Sequence, residues 1–309
     1  MRHAFIMNEL ESVKAWKDTT YFLMLACVER GHRVGYLNQQ SLRLNHNQVH
    51  ANIIWVDVHD VHDDDHDKPF TILESTSINL GEVDVVWIRT DPPFDRRYFY
   101  ATLLLDYLPE RTRVLNRPSG IRNWNEKLAA LLYPEFTPKT VVTNDVDEIK
   151  ALAERHQRII IKPIDGYGGK GIVFYNAGDR EQVIVDATHQ GSHWVIAQAY
   201  LQTAAEGDKR ILLLNGEPLG GILRLHAEGA ELNNLDMGGS ANPVELDQRD
   251  LEICAAMKYG FIDQGVFFAG IDIIGGMLIE VNVTSPTGLQ ELSQFNQTAY
   301  HHQIIAALE

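Results

Sequence analysis

The alternation of apolar and polar positions divides the first third of the chain into strands and helices. Short apolar runs at His3–Met7 and Arg33–Leu37 predict strands, and helical spacing over Thr19–Arg30 predicts a helix between them, with Gly31 as its stop signal. The strongly apolar run Val83–Ile88 predicts a further strand. This β-loop-α-β order predicts a Rossmann-like open sheet. This β-loop-α-β unit lacks the GxGxxG fingerprint, so we expect no dinucleotide cofactor.

The remaining pattern mixes helices and strands, which predicts an α/β domain followed by α+β structure. Predicted helices are Tyr98–Leu108, Ile121–Leu132, Asp147–His156, Asp247–Tyr259 and Leu289–Leu308. Predicted strands are Arg113–Asn116, Val141–Thr143, Arg158–Lys162, Ile172–Tyr175, Val195–Gln198, Ile211–Leu214 and Pro218–Leu225. We place the first domain over residues 1–120 and a second over 121–309, which divides into lobes 121–200 and 201–309.

The stretch Gly265–Thr287, GVFFAGIDIIGGMLIEVNVTSPT, predicts a β-hairpin. The apolar runs Val266–Ile274 and Met277–Val283 flank the turn residues Gly275-Gly276. Three polar residues interrupt these apolar runs, and they are the strongest candidates for chemistry in the chain. They are Asp272, Glu280 and Asn282.

The length of the hairpin loop decides whether these three side chains meet. Glu280 and Asn282 are two residues apart, so they share one face of their strand. A three-residue loop pairs Asp272 with Glu280, whereas a two-residue turn places them on opposite faces. Two carboxylates and an amide oxygen on one face form a hard-oxygen site suited to Mg²⁺ carrying phosphates. The alternative is a strand pair with one solvated face, on which these side chains are ordinary surface.

Composition narrows the possible partners. The chain has 309 residues, 45% hydrophobic and 22% charged, and a formal net charge of −15, which argues against nucleic acid or an anionic membrane as partner. Cys27 and Cys254 are far apart and fall in predicted helices, so we expect two reduced core thiols. The N-terminus does not match a signal peptide, and no apolar run approaches membrane-spanning length. We therefore expect a cytoplasmic protein.

Two further segments carry charged groups in loops. The tract over residues 59–67, HDVHDDDHD, lacks hydrophobic periodicity, so a solvated loop is favoured there over a metal site. Arg89 and Asp91 follow the predicted strand Val83–Ile88, at the carboxyl end where open α/β sheets bind ligands; an exposed loop with an ion pair is the alternative.

A glycine-rich loop, PIDGYGGKG over residues 163–171, joins two predicted strands. Such a loop exposes backbone N–H groups to phosphates, and Lys162 and Lys170 add positive charge, although a tight hairpin turn would look the same. Together with Lys127 and the hairpin oxygens, this set is suited to hold ATP with Mg²⁺. A Walker A motif is absent, so a P-loop fold is not expected.

The chain resembles the prokaryotic glutathione synthetase family. The resemblance is carried in unchanged order by KDTTYFLML, RTDPPFDRRYFYATLLL, NRPSGIRNWNEKL, IIIKPIDGYGGKGI, AQAYL, GDKRILLLNGEPLGGILR, AGIDIIGG and IEVNVTSPTG. It implies an N-terminal open α/β domain followed by a two-lobed ATP-grasp domain. It also implies ATP-dependent ligation of γ-glutamylcysteine and glycine through an acyl phosphate, with Mg²⁺ or Mn²⁺, by a homo-oligomer for which Leu289–Leu308 is a candidate packing surface.

The resemblance also implies roles for individual positions. ATP-binding positions are Lys127, Lys162, Gly166, Tyr167, Gly168, Gly169, Gln198, Ala199, Tyr200, Leu201 and Asp208, the last being either a ribose-side or a metal-side acid. Catalytic positions are Arg210, Arg224 and Asn234, and substrate-binding positions are Arg89, Asp91 and Lys209. Metal ligands are Asp272, Glu280 and Asn282, in agreement with the hairpin pattern.

The sequence departs from the family pattern at three basic positions. Thr90, Leu232 and Gln290 stand where the family usually carries lysine or arginine. Loss of positive charge near an anionic substrate motivates an alternative, a carboxylate–amine ligase for a different amino acid or dipeptide. A second alternative, a non-catalytic nucleotide-binding protein, is disfavoured because the arginines and metal ligands are all present.

Overall fold

The computed structural model describes residues 1–61, 68–226 and 239–309. Its N-terminal part is a seven-stranded sheet with the order β3-β4-β2-β1-β6-β7, in which β5 pairs with β4. The strands are β1 (Arg2–Ile6), β2 (Arg33–Leu37), β3 (Arg43–Asn45), β4 (Gln48–Val58), β5 (Phe70–Asn79), β6 (Val85–Ile88) and β7 (Arg113–Leu115). The helices here are α1 (Thr19–Glu29) and α2 (Arg96–Leu105).

Strands β2, β1, β6 and β7 are parallel, and α1 connects β1 to β2. This confirms the predicted Rossmann-like open sheet. The long antiparallel strands β4 and β5 were not predicted, because β4 lies in a stretch that runs directly into the acidic tract and β5 has no clear apolar pattern. The side chains of β5 are mostly exposed, so burial imposed no alternation on its sequence.

Two antiparallel sheets follow. The first has the order β10-β9-β11-β8 and the second the order β14-β13-β12-β15-β16. The strands are β8 (Thr140–Thr143), β9 (Arg158–Pro163), β10 (Val173–Asn176), β11 (Val195–Ala199), β12 (Asp208–Leu214), β13 (Glu217–Leu225), β14 (Ser240–Val244), β15 (Phe268–Ile274) and β16 (Met277–Asn282). The helices are α3 (Pro118–Asn123), α4 (Val146–His156), α5 (Gln182–Ala187), α6 (Gln248–Gln264), α7 (Leu289–Asn296) and α8 (Tyr300–Ala306).

The predicted helix Ile121–Leu132 is wrong. Helix α3 ends at Asn123, and a 3-10 turn forms only at Ala129–Leu132. Between them the Asn125 side chain accepts hydrogen bonds from the backbone N–H groups of Lys127 (3.1 Å) and Leu128 (3.0 Å). Asparagine competes in this way with helical hydrogen bonding, and it interrupts the helix here.

The C-terminal pattern forms two helices instead of the one predicted over Leu289–Leu308. Gln297 lies in the left-handed region between α7 and α8, with φ of 49°. The apolar residues of both helices, including Leu292 and Ile304, are buried in the same core cluster as Leu23 and Met24 of α1. This apolar face packs inside the chain and is therefore not available as a subunit packing surface.

The two cysteines behave as predicted, since Cys27 and Cys254 are both free and buried within helices. Burial raises the pKa of each thiol. Within the described ranges, none of the helices combines the length and apolar character that crossing a membrane requires.

Candidate active site

All three sheets contribute to one cavity of about 550 Å³. The N-terminal sheet supplies Arg89 from the loop after β6, the middle sheet supplies Lys162 from β9, and the last sheet supplies Arg210 and Asp272. The glycine-rich loop forms another part of the wall, through Gly166, Tyr167, Gly168, Gly169 and Lys170. Residues that are scattered along the sequence therefore line one cavity.

The β15–β16 hairpin uses a two-residue turn, yet it pairs Asp272 with Glu280. Ile274 pairs with Met277 across Gly275-Gly276, and the register shifts by one residue before Asp272 pairs with Glu280. This β-bulge returns the carboxylates to one face, which the two loop lengths considered from the sequence did not allow for. The hairpin prediction is confirmed, and the bulge places Asp272 opposite Glu280.

Asp272 is held by two arginines, one from the adjacent strand β12 and one from β13, the next strand along the sheet. Arg210 on β12 donates Nε to Oδ1 (2.8 Å) and Nη2 to Oδ2 (2.7 Å) of Asp272, and Arg224 on β13 places Nη2 2.8 Å from Oδ2. Arg224 also binds the Asp208 carboxylate through Nε (3.1 Å) and Nη2. Each of these four residues is at most 8% exposed. Two carboxylates thus neutralise two guanidinium groups in a buried network.

The network fixes the charge state of Asp272. Burial alone would raise its pKa, but the charges and hydrogen bonds of Arg210 and Arg224 outweigh burial and hold the pKa well below its ordinary value. Burial raises the pKa of Asp208 despite the neighbouring Arg224 charge. Asp272 is therefore an ionised carboxylate throughout the neutral pH range.

The donor set around Asp272 fits a hard cation such as Mg²⁺. Asp272 Oδ2 already accepts from Arg210, Arg224 and Asn282 Nδ2 (3.4 Å). Among the described residues, Oδ1 accepts only from Arg210 Nε. A carboxylate oxygen has two lone pairs, so Oδ1 retains one for a cation. Glu280 and Asn282 line the same cavity and add carboxylate and amide oxygens.

Lys127 connects the metal-ligand candidates to the glycine-rich loop. Its Nζ lies 3.0 Å from Glu280 Oε1 and also donates to the carbonyl oxygen of Gly166. Gly168 and Gly169 have positive φ angles of 58° and 78°, a conformation that glycine adopts without strain. The loop thereby presents its backbone to the cavity wall.

Lys162 lies deeper, on β9. Its Nζ donates to Gln198 Oε1 (2.9 Å), and Gln198 Nε2 in turn donates to Thr140 Oγ1 (2.9 Å). Burial lowers the pKa of Lys162 to about 8, although the charge of Glu280 opposes this shift. Gln198, Ala199, Tyr200 and Leu201 all line the cavity beside it, as the resemblance implies.

At the opposite end, Arg89 and Asp91 tie the N-terminal sheet to the segment after β16. Arg89 donates to Thr20 Oγ1 (3.1 Å) and to the Pro286 carbonyl (2.9 Å), and Ser285 Oγ donates to Asp91 (2.9 Å). Burial lowers the pKa of Arg89. Both residues line the cavity.

One predicted site residue lies elsewhere. Lys209 is not among the cavity-lining residues, and its Nζ pairs with Asp247 (2.7 Å) and Asp250 at the start of α6. Adjacent strand residues point to opposite faces, so Lys209 points away where Asp208 and Arg210 point in. A substrate contact for Lys209 does not agree with this position. Asn234 and Leu232 lie outside the described residues.

Glu126 is a cavity residue to which the sequence gave no role. Its carboxylate accepts hydrogen bonds from the backbone N–H groups of Val283 and Thr284. Burial, followed by the charge of Glu280, raises its pKa. Glu126 belongs to the motif Asn125-Glu126-Lys127, but the sequence gives no sign that it contacts residues more than 150 positions away. Lys14 and Lys17 also line the cavity, from the loop before α1.

Solved structures with the same architecture are ATP-grasp enzymes and related synthetases. D-cycloserine synthetase DcsG matches with a TM-score of 0.66 at 16% identity, covering 100% of both chains. The ATP-grasp ligase PsnB, solved with Mg and ADP, matches with a TM-score of 0.62 at 15% identity, covering 99% of this chain and 97% of that one. The chain has the ATP-grasp fold, which confirms the predicted fold class.

The family follows from full-length sequence similarity. Residues 1–122 match the prokaryotic glutathione synthetase N-terminal domain, and residues 126–297 match the prokaryotic glutathione synthetase ATP-grasp domain. A glutathione synthetase of Gloeobacter violaceus is 38% identical over 314 residues, covering 99% of this chain and 95% of the relative. The chain belongs to the prokaryotic glutathione synthetase family and is an ATP-dependent ligase.

Proposed function

We propose that this chain joins γ-glutamylcysteine to glycine, with ATP converted to ADP and phosphate and glutathione as the product. The observation that carries the proposal is the Arg210–Asp272–Arg224 network, which lies in the same cavity as Lys127 and Lys162 in a member of this family. A buried pair of arginines is suited to an acidic substrate and to a transferring phosphoryl group.

The departures from the family pattern weigh little against this substrate. Thr90 and Gln290 are not among the cavity-lining residues, and the Gln290 amide donates to the Ala15 carbonyl at 2.5 Å. Lys14 and Lys17 line the cavity and supply positive charge at its N-terminal end. This favours an anionic acyl donor over an uncharged one.

In the proposed reaction the dipeptide carboxylate is first phosphorylated by ATP, because a carboxylate is a poor acyl donor until its oxygen becomes a phosphate leaving group. Lys127 and Lys162 hold the ATP phosphates, and Arg210 and Arg224 stabilise charge on the transferring group and on the tetrahedral intermediate. The glycine amine then displaces phosphate from the acyl carbon. The loop over 166–171 covers the phosphates and excludes water.

Asp272, Glu280 and Asn282 would hold a divalent cation, Mg²⁺ or Mn²⁺, beside the ATP phosphates. When bound, the cation supplies Lewis-acid stabilisation of phosphate charge. The chain's own contribution is to keep Asp272 ionised and to orient it through Arg210 and Arg224.

The test is ADP release by the purified protein with Mg-ATP, measured with γ-glutamylcysteine, with glycine, with both and with neither. We expect sustained turnover only with both, and glutathione by mass spectrometry. The Asp272→Asn variant should lose at least about a hundredfold in turnover, since it removes a charged ligand. Asp247→Asn, a control at the surface, should not. Turnover with other carboxylate–amine pairs but not this one would contradict the proposal.

A further inference from the structure

The edge of the metal-binding hairpin is closed by Glu126, a residue far away in the sequence. Among the described residues, strand β16 is the last strand of its sheet, so no described strand pairs with its outer backbone groups. The Glu126 carbonyl accepts the Val281 N–H (2.7 Å). The Glu126 carboxylate oxygen Oε1 accepts the Val283 N–H (3.0 Å) and the Thr284 N–H (3.1 Å). Glu126 thus replaces the missing strand.

The same carboxylate oxygen also accepts the Thr284 hydroxyl at 2.7 Å. Three donors therefore converge on Oε1 and fix its position relative to the end of β16. Glu126 therefore holds two consecutive N–H groups of the backbone beyond Asn282, and Asn116 binds the Val283 carbonyl on the same segment.

The residues that Glu126 binds alternate with the candidate metal ligands. Glu280 and Asn282 point into the cavity from β16, while the N–H groups of Val281 and Val283 point to Glu126. Any shift of that edge would move both ligands relative to Asp272 on β15. The residue next to Glu126, Lys127, contacts Glu280 directly.

We infer that Glu126 is a positioning residue for the divalent-cation site: it holds the outer edge of β16 so that Glu280 and Asn282 meet Asp272. This inference rests on the proposed function for the location of the cation. It assigns Glu126 no contact with the cation. Residues that orient ligands in this way typically account for 10–100-fold in metal affinity, as an order of magnitude.

The matched control is Asp250, a buried carboxylate that takes part in the capping box of α6 and pairs with Lys209. Like Glu126, it accepts a backbone N–H, that of Asp247 at 3.0 Å, but it does not line the cavity. Loss of either carboxylate should lower the melting temperature. Only loss of Glu126 should weaken cation binding.

The experiment measures Mn²⁺ binding to the protein–ADP complex by electron paramagnetic resonance, for the wild type, Glu126→Gln, Glu126→Ala and Asp250→Asn. We expect affinity to fall about 10–100-fold in Glu126→Ala and by less in Glu126→Gln, which keeps one acceptor oxygen. Asp250→Asn should stay within about twofold of the wild type. ADP binding without metal should be unchanged in all four proteins.

Hydrogen–deuterium exchange supplies a second readout and remains informative if Glu126→Ala does not fold. Peptides spanning 281–285 should exchange faster in Glu126→Gln than in Asp250→Asn. Faster exchange with unchanged Mn²⁺ affinity would overturn the inference, because Glu126 would then stabilise only the fold. Unchanged exchange would overturn it as well. Neither readout uses γ-glutamylcysteine, so failure of the proposed substrate would be seen separately.

Discussion

Individual side chains in the cavity owe their properties to burial. Lys162 is 7% exposed. The hydrogen bond seen for its ammonium group goes to Gln198, whose amide is neutral. Burial lowers its pKa to about 8, so its charge is lost in a pH range where an exposed lysine keeps its own. A phosphate group beside Lys162 would favour the protonated form.

This predicts how nucleotide affinity depends on pH. Binding of ADP should take up a proton at Lys162 above its pKa, so affinity should fall as pH rises, by about fivefold from pH 8 to pH 9. Calorimetric titration over this range measures it. Lys162→Arg keeps its charge and should remove most of the slope. An equal slope in Lys162→Arg would assign the pH dependence to another group.

The two-residue period of a strand predicts which side chains of that strand point into the cavity together. Asp208 and Arg210 are two apart on β12 and both reach the cavity, whereas Lys209 between them faces α6. The same period could have excluded Lys209. Glu126 could not be found in this way, because its partners lie on β16 and only the folded chain brings them together.

At the level of elements, local sequence signals predicted most helices and strands, but they did not predict irregularities such as the β-bulge. The turn residues Asn215-Gly216 join β12 to β13, and Asp247 caps α6. The bulge in the β15–β16 hairpin leaves no mark in the apolar pattern, since Ile279 continues the run of apolar residues. The pairing of Asp272 with Glu280 depends on this shift of register, which the apolar pattern does not record.

The turn of this hairpin gives an element-scale prediction. Gly275 and Gly276 both have positive φ, so alanine at either position should cost about 1 kcal/mol in the free energy of unfolding. At Gly275 an added Cβ would also come within 2.3 Å of Thr203 Oγ1, whereas at Gly276 the nearest atom is Arg249 Cγ at 3.2 Å. Gly275→Ala should therefore be the more destabilising.

Urea unfolding measures both variants, and Thr203→Ala tests the cause. In the Thr203→Ala background the two glycine substitutions should cost nearly the same, because the overlap with Oγ1 is gone. A difference that persists in that background would mean that the backbone conformation, and not Thr203, separates the two positions.

At the scale of the whole molecule, the cavity exists because the N-terminal sheet is fixed against the last one. Arg89 reaches the Pro286 carbonyl, and Asp91 accepts a hydrogen bond from Ser285. The order of the two domains was readable from strand and helix patterns and from family motifs. Their mutual arrangement was not, because contacts such as these join residues about 200 positions apart.

Asn116, directly after β7, links these two sheets through four hydrogen bonds of its side-chain amide. Its Nδ2 donates to the carbonyls of Phe268 (2.8 Å) and Val283 (2.7 Å), and its Oδ1 accepts the N–H groups of Phe267 (2.8 Å) and Phe268 (2.9 Å). The side chain is 5% exposed and uses all of these groups at once. One amide thereby satisfies four buried backbone groups of β15 and the segment after β16.

Asn116→Ala should lower the free energy of unfolding by about 3 kcal/mol or more, since it leaves buried N–H and C=O groups unpaired. Urea unfolding followed by tryptophan fluorescence measures this, with Asn123→Ala as control, because Asn123 makes one exposed contact of 3.3 Å. The loosened N-terminal sheet carries Arg89, so KM for the dipeptide should rise more than KM for ATP. A loss below about 1 kcal/mol, or equal changes in both KM values, would show that the remaining contacts hold the two sheets together without Asn116.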